Sequence, residues 1–245
     1  MAYDQKKLAF FLPNTFTALN MACGFAAIFL AFKGQFYQSA LLIVLGAVFD
    51  SVDGRIARWT GTQSSFGEQF DSMSDLVSFG ISPAFLFYFK FLTGTGRIGM
   101  ILTFLFALCG ALRLARFNAN IDKVKSDYFQ GLPIPGAATA MVGLVLLSLD
   151  QPHSFWSIIS IPYIIFYSIL MISNIPFPSF KNSKWVKEHK RQVFISLLLV
   201  LLSVFTYEEI MIPSVITIYV VSSLIYFLMN REKFAGIFEW KDESE

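Results

Sequence analysis

Charge is scarce in this sequence. Charged residues make up 15% of the 245 positions, where a soluble domain carries about a quarter. Beside a hydrophobic content of 55%, that deficit excludes an ordinary water-facing surface and points to lipid. Cysteine is nearly absent too. Cys23 and Cys109 stand alone in apolar segments, without the spacing of a metal site, and read as buried free thiols rather than a disulfide. There is no internal repeat and no low-complexity segment, so residues 1–245 read as a single membrane domain. The N-terminus also lacks the pattern of a cleaved signal. Lys6 and Lys7 precede an apolar run, but Pro13, Asn14, Thr15, Thr17 and Asn20 interrupt it and no small-residue cleavage site follows. Tyr3 to Leu12 read as an interfacial amphipathic helix, and the next stretch as a retained span.

What is present is apolar sequence in long runs, with 28 phenylalanines suited to a lipid-facing surface. A membrane span needs about 20 largely apolar residues. Eight segments qualify: roughly 16–33, 37–58, 70–92, 97–118, 134–149, 156–174, 190–206 and 211–230. The expected fold is therefore all-α, a polytopic bundle of about eight transmembrane helices. Turn and polar residues separate the spans, as at Lys33-Gly34-Gln35 and Thr93-Gly94-Thr95-Gly96. With the N-terminus inside, only Lys33, Lys90 and Arg97 of the 19 lysines and arginines fall on the outer side. That distribution predicts a multi-pass protein of the cytoplasmic membrane with both termini cytoplasmic. The last two spans, within 190–230, follow a basic loop at 181–191 and read as an appendage to a six-span core. That loop, with His189 in it, suits anionic headgroups better than any nucleic acid. His153 falls on the outer side, and the tail from Glu239 to Glu245 reads as a solvated end.

Four aspartates carry the chemistry. Asp50 and Asp53 close the second apolar run, three apart; Asp71 and Asp75 open the next, four apart. Those spacings put each pair on one helix face, separated along the axis by about 4.5 and 6 Å. Two antiparallel helices on a short loop bring all four carboxylates to one depth, at the cytoplasmic end. One aspartate at a span centre costs roughly 2.5–3.5 kcal/mol, and four unpaired ones on the order of 10 kcal/mol. Arg55 and Arg58 offset two at most. Divalent cations neutralise the set, and oxygen ligands suit Mg2+, Mn2+ or Ca2+. Gly54 and Gly67 leave backbone uncovered beside the carboxylates, and Arg58 offers a planar donor to phosphate.

The complete pattern is Asp50-x2-Asp53-Gly54-x2-Ala57-Arg58-x8-Gly67-x3-Asp71-x3-Asp75. It resembles the signature of the CDP-alcohol phosphatidyltransferases at every specified position. The resemblance implies that a hydroxyl compound displaces CMP from a CDP-linked lipid with two divalent metals, Mg2+ or Mn2+. It implies Asp50, Asp53 and Asp71 as metal ligands, and Asp75 as both ligand and general base. Gly54, Ala57 and Gly67 would shape the cytidine pocket, and Arg58 would contact the diphosphate. Pro13-Asn14-x2-Thr17 is similar to the family's first helix, whose polar residues lie beside the nucleotide. The family is dimeric, so a homodimer is implied as well.

The acceptor alcohol is a separate question. Arg113 and Arg116, three apart on the fourth span, suit a carboxylate or a phosphate, with Asn118 beside them. Physical chemistry alone leaves serine, glycerol phosphate and inositol phosphate open. The segments Arg113 to Asn118, Phe129-x-Gly131-Leu132-Pro133-x-Pro135 and Ile175 to Lys181 resemble the bacterial-type phosphatidylserine synthases within that family. This branch resemblance covers about 13–181 and implies CDP-diacylglycerol and L-serine as substrates. A reading from another class is a divalent-cation transporter with the aspartates as transit site. Transporters place such ligands near the midplane on broken helices, whereas these lie at a cytoplasmic end.

Overall fold

A spanning backbone finds no water in the bilayer core and must satisfy its own N–H and C=O groups, so apolar runs of this length fold as helices. The computed structural model describes residues 2–119, 128–150, 153–178 and 206–234, together with residues 192, 202 and 203. Helices α1 (Ala2–Phe32) and α2 (Phe36–Thr60) form a hairpin through the predicted turn at Lys33-Gly34-Gln35. Gly34 takes φ +74° there, a conformation open to glycine without steric cost. α1 runs unbroken from Ala2 with Pro13 inside it, so the expected interfacial helix over 3–12 is not a separate element. Polar residues interrupt the apolar run but not the helix. The Thr15 hydroxyl, for one, donates back to the Phe11 carbonyl at 2.9 Å.

α2 ends at Gly61 (φ +64°), whose N–H donates to Ala57 O. Three residues later Ser64 caps α3 (Ser65–Asp75), its hydroxyl accepting from the Gly67 N–H at 3.1 Å. α3 continues through a π-helical turn (Leu76–Ile81) into α4 (Ser82–Phe87), then through a second π turn (Tyr88–Leu92) and a 3-10 turn (Thr93–Thr95). The first widened turn lies just before Pro83, whose ring displaces the carbonyl four residues back. The Ser82 N–H reaches five residues back, to Val77 O. α5 (Arg97–Ala119), α6 (Ile134–Leu147), α7 (His153–Ile172), α8 (Glu208–Met229) and α9 (Arg231–Phe234) follow. β1 (Tyr128–Gln130) and β2 (Pro176–Pro178) pair antiparallel, with Phe129 opposite Phe177, a departure from the all-α expectation.

Among the described residues, four stretches are long and apolar enough to cross a membrane: Phe11–Phe32, Ser65–Thr95, Arg97–Ala119 and Glu208–Met229. They coincide with the predicted spans 16–33, 70–92, 97–118 and 211–230. α2 has the length, at 25 residues, but its second half carries Asp50, Asp53, Arg55 and Arg58. Ile134–Leu147 and the Ile158–Ile172 part of α7 are shorter apolar stretches. At 1.5 Å per residue α6 reaches only about 21 Å, short of the roughly 30 Å hydrocarbon layer. It is accordingly the centre of the bundle, buried from Ile134 to Leu146 on nearly every face and packed by α2, α4, α7 and α8. The predicted span 190–206 lies outside the described residues, apart from 192, 202, 203 and 206.

α8 packs against this central helix. A Cβ at Gly143 of α6 would meet Pro213 Cα at 3.0 Å, and Tyr37 Oη donates to Glu208 Oε1 at 2.7 Å. Phe29, Phe32, Phe104 and Ile158 are exposed around the outside, as a lipid-facing surface requires.

The α1 helix is laced to the third helical stretch. Ser74, Ser78 and Ser82, four residues apart and fully buried, donate to the main-chain carbonyls of Thr17, Asn20 and Gly24 at 2.9, 2.9 and 2.6 Å. Close approach makes this possible: a Cβ at Gly24 would sit 2.6 Å from Ser78 Cα. Ser39 ties α2 to α1 in the same way, donating to Ala27 O at 2.7 Å.

Candidate active site

The short loop between α2 and α3 folds the two aspartate pairs against each other. Carboxylate oxygens of Asp50, Asp53 and Asp71 all lie within 4.8 Å of one another. Asp75, one turn further along, adjoins this triad beside Asp50 and Asp71 and within electrostatic reach of Arg113. Asp53 is 5% exposed, and its Oδ2 accepts from the buried Thr17 hydroxyl at 2.7 Å. Asp71 Oδ1 and Asp75 Oδ1 are buried without a hydrogen-bond partner. A buried carboxylate oxygen without a donor is costly unless a cation faces it. The donor set is all oxygen, and these orphaned atoms belong to it, so the residues present fit divalent metal of the Mg2+ or Mn2+ kind. Arg55 and Arg58 are both exposed.

Next to the triad is a cavity of about 210 Å³, between residues 13–17 of α1, the end of α2 and the start of α3. Asn14, Thr17, Gly54, Ala57, Arg58 and Gly67, the six residues expected around the nucleotide, all line it together with Asp53 and Asp71. The glycines keep it open. A Cβ at Gly67 would lie 3.3 Å from Ser64 Oγ and 3.6 Å from Asn14 Oδ1; one at Gly54 would face Arg58 Nη1 at 3.5 Å. Gln63 and Glu68 also line the cavity and were not anticipated, because a loop and a first helical turn carry no periodic signal. Asn20 was singled out only as a polar interruption. It is fully buried, and neither side-chain polar atom has a partner.

The three downstream candidates separate. Arg113 is 7% exposed and lies over the rings of Phe117 and Phe129, at 5.2 and 6.0 Å. Arg116 does not share its environment. Its guanidinium donates to the carbonyls of Gln130, Met171, Ile172 and Ser173 at 2.8–3.2 Å. Asn118 is likewise engaged with protein, donating to Ser72 Oγ at 2.9 Å and so tying α5 to α3.

Comparison with known proteins bears on this arrangement. A family model described as CDP-alcohol phosphatidyltransferase matches residues 10–178. The chain belongs to that family. Asp50, Asp53, Asp71 and Asp75, the cavity residues, Arg113 and the β1–β2 ribbon fall inside the matched region. The family depends on divalent metal, which agrees with the oxygen-only cluster. Among relatives, the chain is 40% identical over 180 residues to a CDP-diacylglycerol–serine O-phosphatidyltransferase of Helicobacter pylori, covering 72% of this chain and 75% of that one. It is 42% identical over 170 residues to a protein of the same name from Methanocaldococcus jannaschii, covering 69% and 75%. To an archaetidylserine synthase of Methanothermobacter thermautotrophicus it is 38% identical over 182 residues, covering 73% and 74%.

Proposed function

We propose that this protein is an integral-membrane transferase that moves the phosphatidyl group of CDP-diacylglycerol to the hydroxyl of L-serine, giving phosphatidylserine and CMP. The observation that carries the reading is the carboxylate triad opening onto a cavity walled by Asn14, Thr17, Gly54, Ala57, Arg58 and Gly67. A carboxylate cluster alone suits many ions. One beside an exposed arginine and two uncovered glycine backbones suits a nucleoside diphosphate held across divalent cations. Serine as acceptor is supported by the names of the relatives in Helicobacter pylori and Methanocaldococcus jannaschii.

In this reading the cytidine lies against Gly54, Ala57 and Gly67, with Arg58 on the diphosphate and Asn14 and Thr17 forming the α1 wall. Asp50, Asp53, Asp71 and Asp75 would hold two divalent cations, Mg2+ or Mn2+. When bound, the ions supply positive charge to the phosphate oxygens and to the departing CMP. Asp75 takes the proton from the serine hydroxyl as its oxygen attacks the phosphorus that bears diacylglycerol. The bond from that phosphorus to CMP breaks, and CMP leaves with the electron pair. Arg113 holds the serine carboxylate. The acyl chains stay in the bilayer, since withdrawing them would cost about 0.8 kcal/mol per CH2 exposed to water. Eight spans, cytoplasmic termini and site, and a homodimer complete the proposal; the side asymmetry of lysine and arginine supports the orientation.

The test is CMP release by purified protein with CDP-diacylglycerol and Mn2+ or Mg2+. Serine should trigger release, and glycerol phosphate or inositol phosphate should not. Release with a phosphorylated polyol but not serine would overturn the acceptor. Metal uptake into liposomes without CMP release would overturn the transferase.

A further inference from the structure

We infer that Arg116 is a positioning residue for the acceptor: it locks the β1–β2 ribbon so that Phe129, with Phe117, holds the Arg113 guanidinium beside Asp75. The inference rests on the proposed role of Arg113 toward the serine carboxylate.

Arg116 gathers carbonyls that the local structure leaves open. The last carbonyls of a helix have no partner within it. At the end of α7, Arg116 donates to Met171 O at 3.1 Å, Ile172 O at 2.9 Å and Ser173 O at 3.2 Å. Its charge thereby also meets the negative end of the α7 dipole. The same guanidinium reaches Gln130 O of β1 at 2.8 Å, joining the ribbon to α7. Gly131 follows at φ +75°, its N–H donating to Ile175 O at 2.9 Å. A Cβ at Gly131 would lie 2.8 Å from Arg116 Nη2 and 2.9 Å from Ser173 O, so the knot closes only over glycine.

The locked ribbon sets Phe129. That residue precedes Gln130, pairs across the ribbon with Phe177, and turns its ring toward Arg113, whose guanidinium is 6.0 Å from the ring centre. Phe117 faces the same guanidinium at 5.2 Å. A guanidinium resting on ring faces keeps its N–H edge directed outward, the geometry that takes a planar carboxylate in two parallel bonds. Both terminal nitrogens of Arg116 are engaged on carbonyls, so its effect on the acceptor passes through β1 and not through contact.

The experiment compares full-length wild type, R116Q, R116K and F129L by CMP release against serine concentration, at saturating CDP-diacylglycerol and Mn2+. All three substitutions should raise the serine KM by about tenfold or more, with kcat falling less than KM rises. Lysine should not rescue, because an ammonium lacks the planar fork. R116Q/F129L should be no worse than R116Q, since both act through one contact. Amide exchange at Gly131 and Leu132, bonded to Ile175 O and Leu170 O, should accelerate in R116Q and not in F129L. Loss of kcat and of folded protein in R116Q at an unchanged serine KM would overturn the inference. So would an unchanged serine KM in F129L, a result that does not depend on the Arg116 variants folding. A wild type that ignores serine would sink the serine reading instead. The same KM comparison with the acceptor that does release CMP would then decide the linkage, equal values refuting it.

Discussion

Thr17→Val isolates the support that α1 gives to the metal-binding carboxylates. The substitution keeps the side-chain shape and removes one hydroxyl. That hydroxyl donates to Asp53 Oδ2 at 2.7 Å; its other neighbour, Pro13 O, is a longer contact at 3.2 Å. Thr17 is 3% and Asp53 5% exposed, so the bond is made away from the protein's outer surface. A hydrogen bond to an ionised acceptor contributes about 1.5–3 kcal/mol. With 1.4 kcal/mol per tenfold, that corresponds to roughly 10- to 150-fold in metal affinity. The figure agrees with the 10- to 100-fold typical for groups that orient metal ligands from behind. The assay is Mn2+ dependence of CMP release, paired with calorimetric titration of Mn2+ into the substrate-free protein. Thr17→Ser, which keeps the donor, should stay within about threefold of wild type. Wild-type Mn2+ constants for Thr17→Val in both measurements would refute the reasoning, because Asp53 would then be held without this bond.

Three other perturbations give distinct outcomes. Asp75→Asn should abolish turnover yet bind Mn2+ in calorimetry to within about tenfold, since Asp50, Asp53 and Asp71 form the tight triad without it; near-normal turnover would remove Asp75 as the base. Gly24→Val should destabilise the folded protein by about 1–3 kcal/mol or more, because its Cβ would lie 2.6 Å from the Ser78 backbone. A melting curve in detergent that matches wild type would count against the close helix crossing. Gly54→Val meets only an ordinary contact with Arg58 at 3.5 Å, so it should fold. Its bulk in the cavity should raise the KM for CDP-diacylglycerol by about tenfold or more and leave that for serine nearly alone; the opposite split would place the nucleotide elsewhere.

The aspartate cluster was legible because its residues are local in sequence. Spacings of three and four put Asp50 with Asp53 and Asp71 with Asp75, and the turn from Gly61 to Ser64 is too short for anything but a hairpin. Gly54, Arg58 and Gly67 were legible as close neighbours of the carboxylates, whereas Asn14, Thr17 and Ala57 were expected around the nucleotide only through the family resemblance. Arg113 and Arg116 show where the sequence runs out. Both are basic residues on one helix at a spacing that shares a face, yet one rests on two rings and the other caps α7. What separates them is the position of Gln130 and Met171, far away in the chain. The ribbon was hidden because Pro176 and Pro178 read as turn residues, and its partner strand has only three residues. The serines at 74, 78 and 82 did carry a signal, a four-residue repeat of small hydroxyls in an apolar span, which went unused without knowledge of the facing helix.

Those serines bind α1 through its main-chain carbonyls, and the choice has an evolutionary side. A tie that reads only backbone places no demand on the chemistry of the facing side chains beyond their bulk. Positions 17, 20 and 24 therefore answer to separate pressures: Thr17 to a carboxylate on α2, Gly24 to the narrowness of the crossing, and Asn20 to neither. The joint between the first and third helical stretches can stay fixed while the side chain at 20 is exchanged, whereas Thr17 stays bound to its carboxylate and Gly24 to the crossing.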